Sequence, residues 1–235
     1  RANNIRAAWF AASNGASTIV LGNALNWIDG SASDSSILGG SFNAIHATSS
    51  YSVVGGGYGN TIYPRAGYAT VAGGFGNRLR SSASYAAIGG GLQNEIKEAA
   101  QAATIGGGRE NIVMSNAYFS TIGGGWWNRA SEDAVYVTIG GGFTNIIGFN
   151  SGYSTIAGGG CNDIGSNSSY ATIGGGFDNS VGNNSGYSTI AGGYQNGIGT
   201  NAFGSFLGSG EANQIGNGSS VSVIGNALRL RHVRL

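Results

Sequence analysis

Few side chains in this sequence are of the kinds that carry out chemistry, and their spacing assembles almost none of it. His46 and His232 are the only histidines and lie far apart, and Cys161 is the only cysteine. No stretch therefore supplies a His/Cys/Asp cluster at metal-ligand spacing, and an internal disulfide framework is excluded. The glycine triplets lack the lysine and hydroxyl of a phosphate loop. Calcium-binding β-roll repeats need a recurrent aspartate, whereas Asp163 and Asp178 fall at different points of the pattern. Glu132 and Asp133 form an acidic pair, but adjacent acids are ordinarily solvated rather than set up for proton transfer. The sequence reads as a non-enzyme with no cofactor. What remains is recognition. Arg109, Trp126, Trp127 and Arg129 fall in a segment, 78–133, that holds ten of the twenty-one charged residues. Arginine beside indole permits cation–π contact, and both residue types dominate binding hot spots. A second set, Tyr136, Tyr153, Tyr170 and Tyr187, recurs at a spacing of 17. These eight are the candidate ligand or interface residues.

The elements that must position them follow from one repeat. Asparagine stands at Asn26, Asn43, Asn60, Asn77, Asn94, Asn111, Asn128, Asn145, Asn162, Asn179, Asn196 and Asn213, every seventeenth residue without insertion or deletion. Unbroken short spacing marks a solenoid in which each coil is templated by its neighbours. The sixth residue before each asparagine runs from Val20 and Ile37 to Ile190 and Leu207, always aliphatic, and the second residue after it is Ile, Leu or Val in all but Ala130. These columns predict the interior, with one short strand ending in the first and another centred on the second. The predicted fold is all-β: a parallel β-solenoid of about twelve coils, roughly 55–60 Å long at an inter-strand spacing of about 4.8 Å.

Further columns refine each coil. The third and fourth residues before the asparagine are nearly always glycine, which predicts a tight corner. The asparagine tolerates the left-handed conformation better than most residues, and its amides are expected to hydrogen-bond from coil to coil as a ladder. The eleventh residue before it is always small, as at Ala83, Ala100, Ser151 and Ser168, so something packs closely on that column. The stretch Tyr170-Ala171-Thr172-Ile173 and its equivalents read as a strand with tyrosine and threonine on the outer face. Arg78 and Glu95 are equivalent in successive coils and are expected to pair across them. The second residue before the asparagine (Tyr58, Phe75, Leu92, Arg109, Trp126, Phe143, Phe177 and Tyr194) makes another column, which puts Arg109 one coil from Trp126.

Boundaries follow: residues 1–16, with Trp9 and Phe10, as an N-terminal cap, 17–226 as the solenoid, and 227–235 as a capping strand or junction in which Leu230 replaces the asparagine. The chain begins at Arg1 without initiator methionine or signal peptide, which reads as a processed product or a piece of a longer protein.

Glycine supplies 46 of 235 residues with a single proline, Pro64, which excludes collagen, and the periodic 41% hydrophobic content argues against a disordered linker. A net charge of +1 carries no footprint for nucleic acid, and no apolar run approaches the length of a membrane span. Only 9% of residues are charged, against about 25% in ordinary soluble domains. So few charges on a long chain point to a surface covered by other subunits.

The phrases Tyr153-Ser154-Thr155-Ile156-Ala157-Gly158-Gly159 and Tyr187-Ser188-Thr189-Ile190-Ala191-Gly192-Gly193, each followed by asparagine and then Ile-Gly, resemble the head repeats of trimeric autotransporter adhesins. Similar runs occur in phage-type fibres and other bacterial surface proteins. The resemblance covers about residues 17–226 and implies a left-handed β-roll, three chains side by side, and a place outside the cell, on its surface or in a virion fibre. It implies attachment to a host or environmental surface or glycan. Family repeats are commonly shorter than seventeen residues, and this chain carries no stalk, neck or anchor of that family. The competing expectation is the protomer of a filament joined end to end. An ice-binding role would need a second regular threonine column, and a polysaccharide-cleaving role would need an acid cluster.

Overall fold

A computed structural model describes residues 8–13 and 16–225, and it is a parallel β-solenoid without helix. Strands β1 (Ala8–Ser13) and β2 (Ala16–Leu21) open a 14-stranded sheet that ends at Val223–Ile224. Strand β3 (Trp27–Ile28) opens a 12-stranded sheet that ends at Gln214–Ile215. From β3 onward each strand is two residues long, and strand neighbours in a sheet are one coil apart. The register is the sequence period: Ile156 lies on Ile173 and Ile147 on Ile164. A third ladder of parallel bridges runs from Ser41 through Tyr58, Arg109 and Trp126 to Glu211, along the column two residues before the asparagine. Both strands of a coil end on their aliphatic residue, so the second is not centred on its column as expected.

Burial follows the columns. Ile88, Ile105, Ile122, Ile139 and Ile156 face Ile96, Val113, Ala130, Ile147 and Ile164 at zero exposure. The small column is buried too, and what packs on it is the next coil of the same chain. Ser168 Oγ donates to the Gly182 carbonyl (2.7 Å) and accepts the Ser185 N–H (3.0 Å). Where alanine holds the position, the following N–H turns instead to the carbonyl three residues back, as Ala100 N–H does to Lys97 (3.3 Å). That alternative keeps Ser168→Ala inexpensive. Its Ser185 N–H can take the Gly182 carbonyl that the hydroxyl vacates, and urea denaturation is expected to register a loss of only about 1 kcal/mol.

The asparagine ladder is a closed hydrogen-bond system. Asn145 donates from its backbone N–H and its Nδ2 to Asn128 Oδ1 (both 3.0 Å), and from Nδ2 to the carbonyls of Gly141 (2.9 Å) and Gly159 (3.0 Å). Its own Oδ1 accepts the same pair from Asn162 (both 3.1 Å). Among the described residues no buried side-chain polar atom lacks a partner. The ladder asparagines do not use the left-handed conformation that their residue type tolerates.

Outside the glycine corner, positive φ angles fall mainly on three other columns, the twelfth, ninth and first residue before the asparagine, as at Asn150 (52°), Tyr153 (59°) and Cys161 (54°). There the peptide reverses. Strand N–H groups donate forward, Thr155 to Ala171 and Ile146 to Asn162 (both 2.9 Å), whereas Asn150, Tyr153 and Cys161 donate backward to Glu132, Val135 and Phe143 (2.8–3.1 Å). Each coil is thereby bonded to both neighbours at every corner, which offsets the cost of the left-handed backbone.

At the N-terminal end β1 breaks the parallel pattern. It lies antiparallel on β2 over six residues, from Ala8 opposite Leu21 to Ser13 opposite Ala16. Strand addition of this kind occupies an edge that would otherwise template pairing with another chain. The side chains of Trp9 and Phe10, the rest of the expected cap, and the 227–235 tail with Leu230 lie outside the described residues.

Candidate functional site

The two candidate sets occupy different columns, and no ring contact, ion pair or hydrogen bond joins them among the described residues. Tyr136, Tyr153, Tyr170 and Tyr187 stand at the left-handed residue of a turn, not inside a strand as the sequence pattern implied. Left-handed geometry throws each side chain outward at the same angle. The rings stack with Phe119 at centroid spacings of 4.7–5.0 Å and interplanar angles of 3–18°. A shorter run, Tyr51–Tyr68–Tyr85, precedes it, with Ala102 between the two. Each ring is about half exposed. Because neighbours cover the faces, the row offers ring edges and phenol hydroxyls. Beside it run six consecutive threonines in register, Thr104 to Thr189. This surface suits lateral packing better than capture of a ring-shaped ligand.

The tryptophan patch is built differently. Arg109, in the bridged column, places its guanidinium over Trp126 (5.6 Å to the centroid), as the spacing predicted. Its Nε also donates to Glu110 Oε1 (2.9 Å). Trp127 Nε1 donates to the other oxygen, Glu110 Oε2. The Trp127 bond, followed by Arg109, holds the Glu110 carboxyl below its ordinary range. Trp126 and Trp127 touch at 4.7 Å, tilted by 33°. Phe143, the next ring in the Trp126 column, leans away from it. It covers Gly160, where a Cβ would lie 2.4 Å from the ring, and meets Phe177 at 5.9 Å.

Arg129 projects from the second sheet between Ile112 and Ile146, exposed, with a groove on either side. The smaller, about 160 Å³, is bounded by Glu110 and Trp127, and the larger, about 490 Å³, by Glu132, Asp163 and Asn183. Asp163 faces solvent, yet the groove walls strip enough water to push its carboxyl up from the ordinary value, while Arg129 partly offsets that shift.

Sequence reasoning missed Glu110 as the anchor of this patch, although its signal was available: it stands seventeen residues before Trp127, in the same column. The expected Arg78–Glu95 pair is also corrected. The two are opposite in backbone register, but Glu95 pairs with Arg80, whose guanidinium lies 4.7 Å from the Tyr63 ring centroid. A face-on ring one coil below positions Arg80, and nothing comparable positions Arg78.

The architecture defines the chain as a β-solenoid repeat protein. No family model matches it, and no curated protein is significantly similar to it. No helix among the described residues is long and apolar enough to cross a membrane.

Proposed function

We propose that this chain is a structural and adhesive rod: a left-handed β-roll that packs side by side with two copies of itself in an extracellular, cell-surface or virion fibre. The stacked aromatic row carries the reading. It is half exposed, extends over several coils, and lies on a surface with very few charges. An exposed apolar strip of that length marks an interface. A partner of the same repeat presents edges at the same spacing, so the strip matches a second copy coil for coil. The resemblance to adhesin head repeats supports three-fold packing, and the unbroken asparagine ladder supports stiffness.

Light scattering on the purified chain is expected to give three times the 23.6 kDa chain mass. Electron microscopy should show discrete rods of roughly 55–60 Å, the length of twelve inter-strand spacings. Monomers in dilute buffer would overturn the side-by-side arrangement, and open-ended fibres would transfer the reading to an end-to-end filament.

A further inference from the structure

We infer that the face around Trp127 is a carbohydrate-binding site for a neutral oligosaccharide, with one pyranose ring on the indole and the following units in the grooves beside Arg129 and Asp163. This names a ligand for the adhesive rod but requires neither the trimer nor the fibre.

Immobilisation of the indole comes first. Trp127 is half exposed, yet its N–H is tied to Glu110, and Glu110 is tied in turn to Arg109 packed over Trp126. An aromatic surface fixed before binding loses little entropy when a ligand arrives. In the tyrosine rows the rings stack on one another and show edges. Trp126 meets the Trp127 indole at 4.7 Å with a 33° tilt, but in its own column Trp127 lies between Glu110 and Thr144, neither of them a ring, so it is not enclosed in a stack as the tyrosines are. A sugar's C–H face packs on such an indole.

Charge then narrows the ligand. Both oxygens of Glu110 are engaged, and the larger groove sets Arg129 against Glu132 and Asp163. No large excess of either sign is left for an ionic partner, while donors and acceptors remain for hydroxyl groups.

Length narrows it further. From Trp127 to Asn183 the grooves span three coil-to-coil steps, roughly 15 Å, which takes an oligosaccharide rather than a single sugar. A second copy of the chain is the weaker occupant. Its contacts should recur with the repeat, whereas this arrangement occurs once, and charged residues are depleted from interface cores.

A neutral-glycan array followed by calorimetry of the bound oligosaccharides tests the assignment on the whole chain. The parent is expected to bind, with longer oligosaccharides tighter than their monosaccharides. Trp127→Ala should lose about tenfold or more in affinity, as truncation of an anchor residue does. Glu110→Gln, which loosens the indole, should lose less, and Tyr170→Ala should bind as the parent does. The binding-deficient variants should keep the parent's circular dichroism and oligomer mass. If Trp127→Ala does not fold, the Glu110→Gln result decides. The inference is overturned if no neutral glycan on the array binds, if neither site variant weakens binding, or if Trp127→Ala changes oligomer mass and leaves glycan binding intact. Oligomer mass of the parent is measured independently, so failure of the fibre reading and failure of the glycan site are separate results.

Discussion

Asn128→Asp is expected to destabilise the rod strongly at neutral pH and less so in acid. The side chain is fully buried, and its amide nitrogen faces three acceptors: Asn111 Oδ1 (3.1 Å) and the carbonyls of Gly124 and Gly142 (both 2.9 Å). Aspartate places an oxygen there with nothing to donate. Ionised, it is a buried charge against three dipoles of the wrong sign, a loss on the order of 4 kcal/mol. Protonated, it regains one donor. Burial and the surrounding acceptors therefore raise its folded pKa above the unfolded value of about 3.9. The sign follows from that order. The stability deficit is smallest below the unfolded value and widens as pH rises from there through the folded one. Urea midpoints of parent and variant between about pH 3 and pH 7 would measure it. A deficit that stays level over that range, or a variant as stable as the parent, would mean that the ladder amides do not bear the load assigned to them.

The same column explains why so much of the architecture was legible. A coil that must hydrogen-bond to copies of itself puts one residue type in one place, so every structural requirement becomes a vertical column. The interior residues Ile139, Ile147, Ile156 and Ile164, the ladder asparagines and the Arg109–Trp126 contact could all be read from spacing. Backbone conformation could not. Left-handed residues are ordinarily signalled by glycine, asparagine or aspartate. The twelfth position before the ladder does carry that signal in Asn150, Asn167, Asn184 and Asn201, but the ninth holds Tyr136, Tyr153, Tyr170 and Tyr187. Tyrosine ordinarily reads as strand. Here the backward N–H bond and the ring stack override its preference, and both exist only once coils are piled up. The anchor of the tryptophan patch was legible only in part. Spacing makes Glu110 and Trp127 neighbours in one column, but it does not say that the indole N–H bonds the carboxylate.

The glycine corner separates two neighbours that composition treats alike. Gly108→Ala is expected to break the rod, and Gly107→Ala to leave it intact. Gly108 has a φ of +86°, and a Cβ there would lie 2.1 Å from the Gly125 carbonyl oxygen and 2.8 Å from Asn111 Nδ2. The obstacle is backbone of the next coil, so relief requires the coils to part. Parting sacrifices the bonds to the same carbonyl from Arg109 N–H (2.8 Å) and Asn111 Nδ2 (2.9 Å). The combined loss is on the order of 4 kcal/mol or more. At Gly107 a Cβ meets nothing within 4 Å, and φ lies outside the left-handed region. Alanine there restricts the unfolded chain and should change stability by less than about 1 kcal/mol in either direction. Solenoid stability is a sum of coil and nearest-neighbour terms, so a lesion between two coils uncouples the halves on either side. Gly108→Ala should therefore melt in two steps and admit protease near residue 108, while Gly107→Ala melts once, close to the parent. A single parental transition for Gly108→Ala would show that the corner can open without loss, and the tight coil-to-coil approach would then not be what demands glycine.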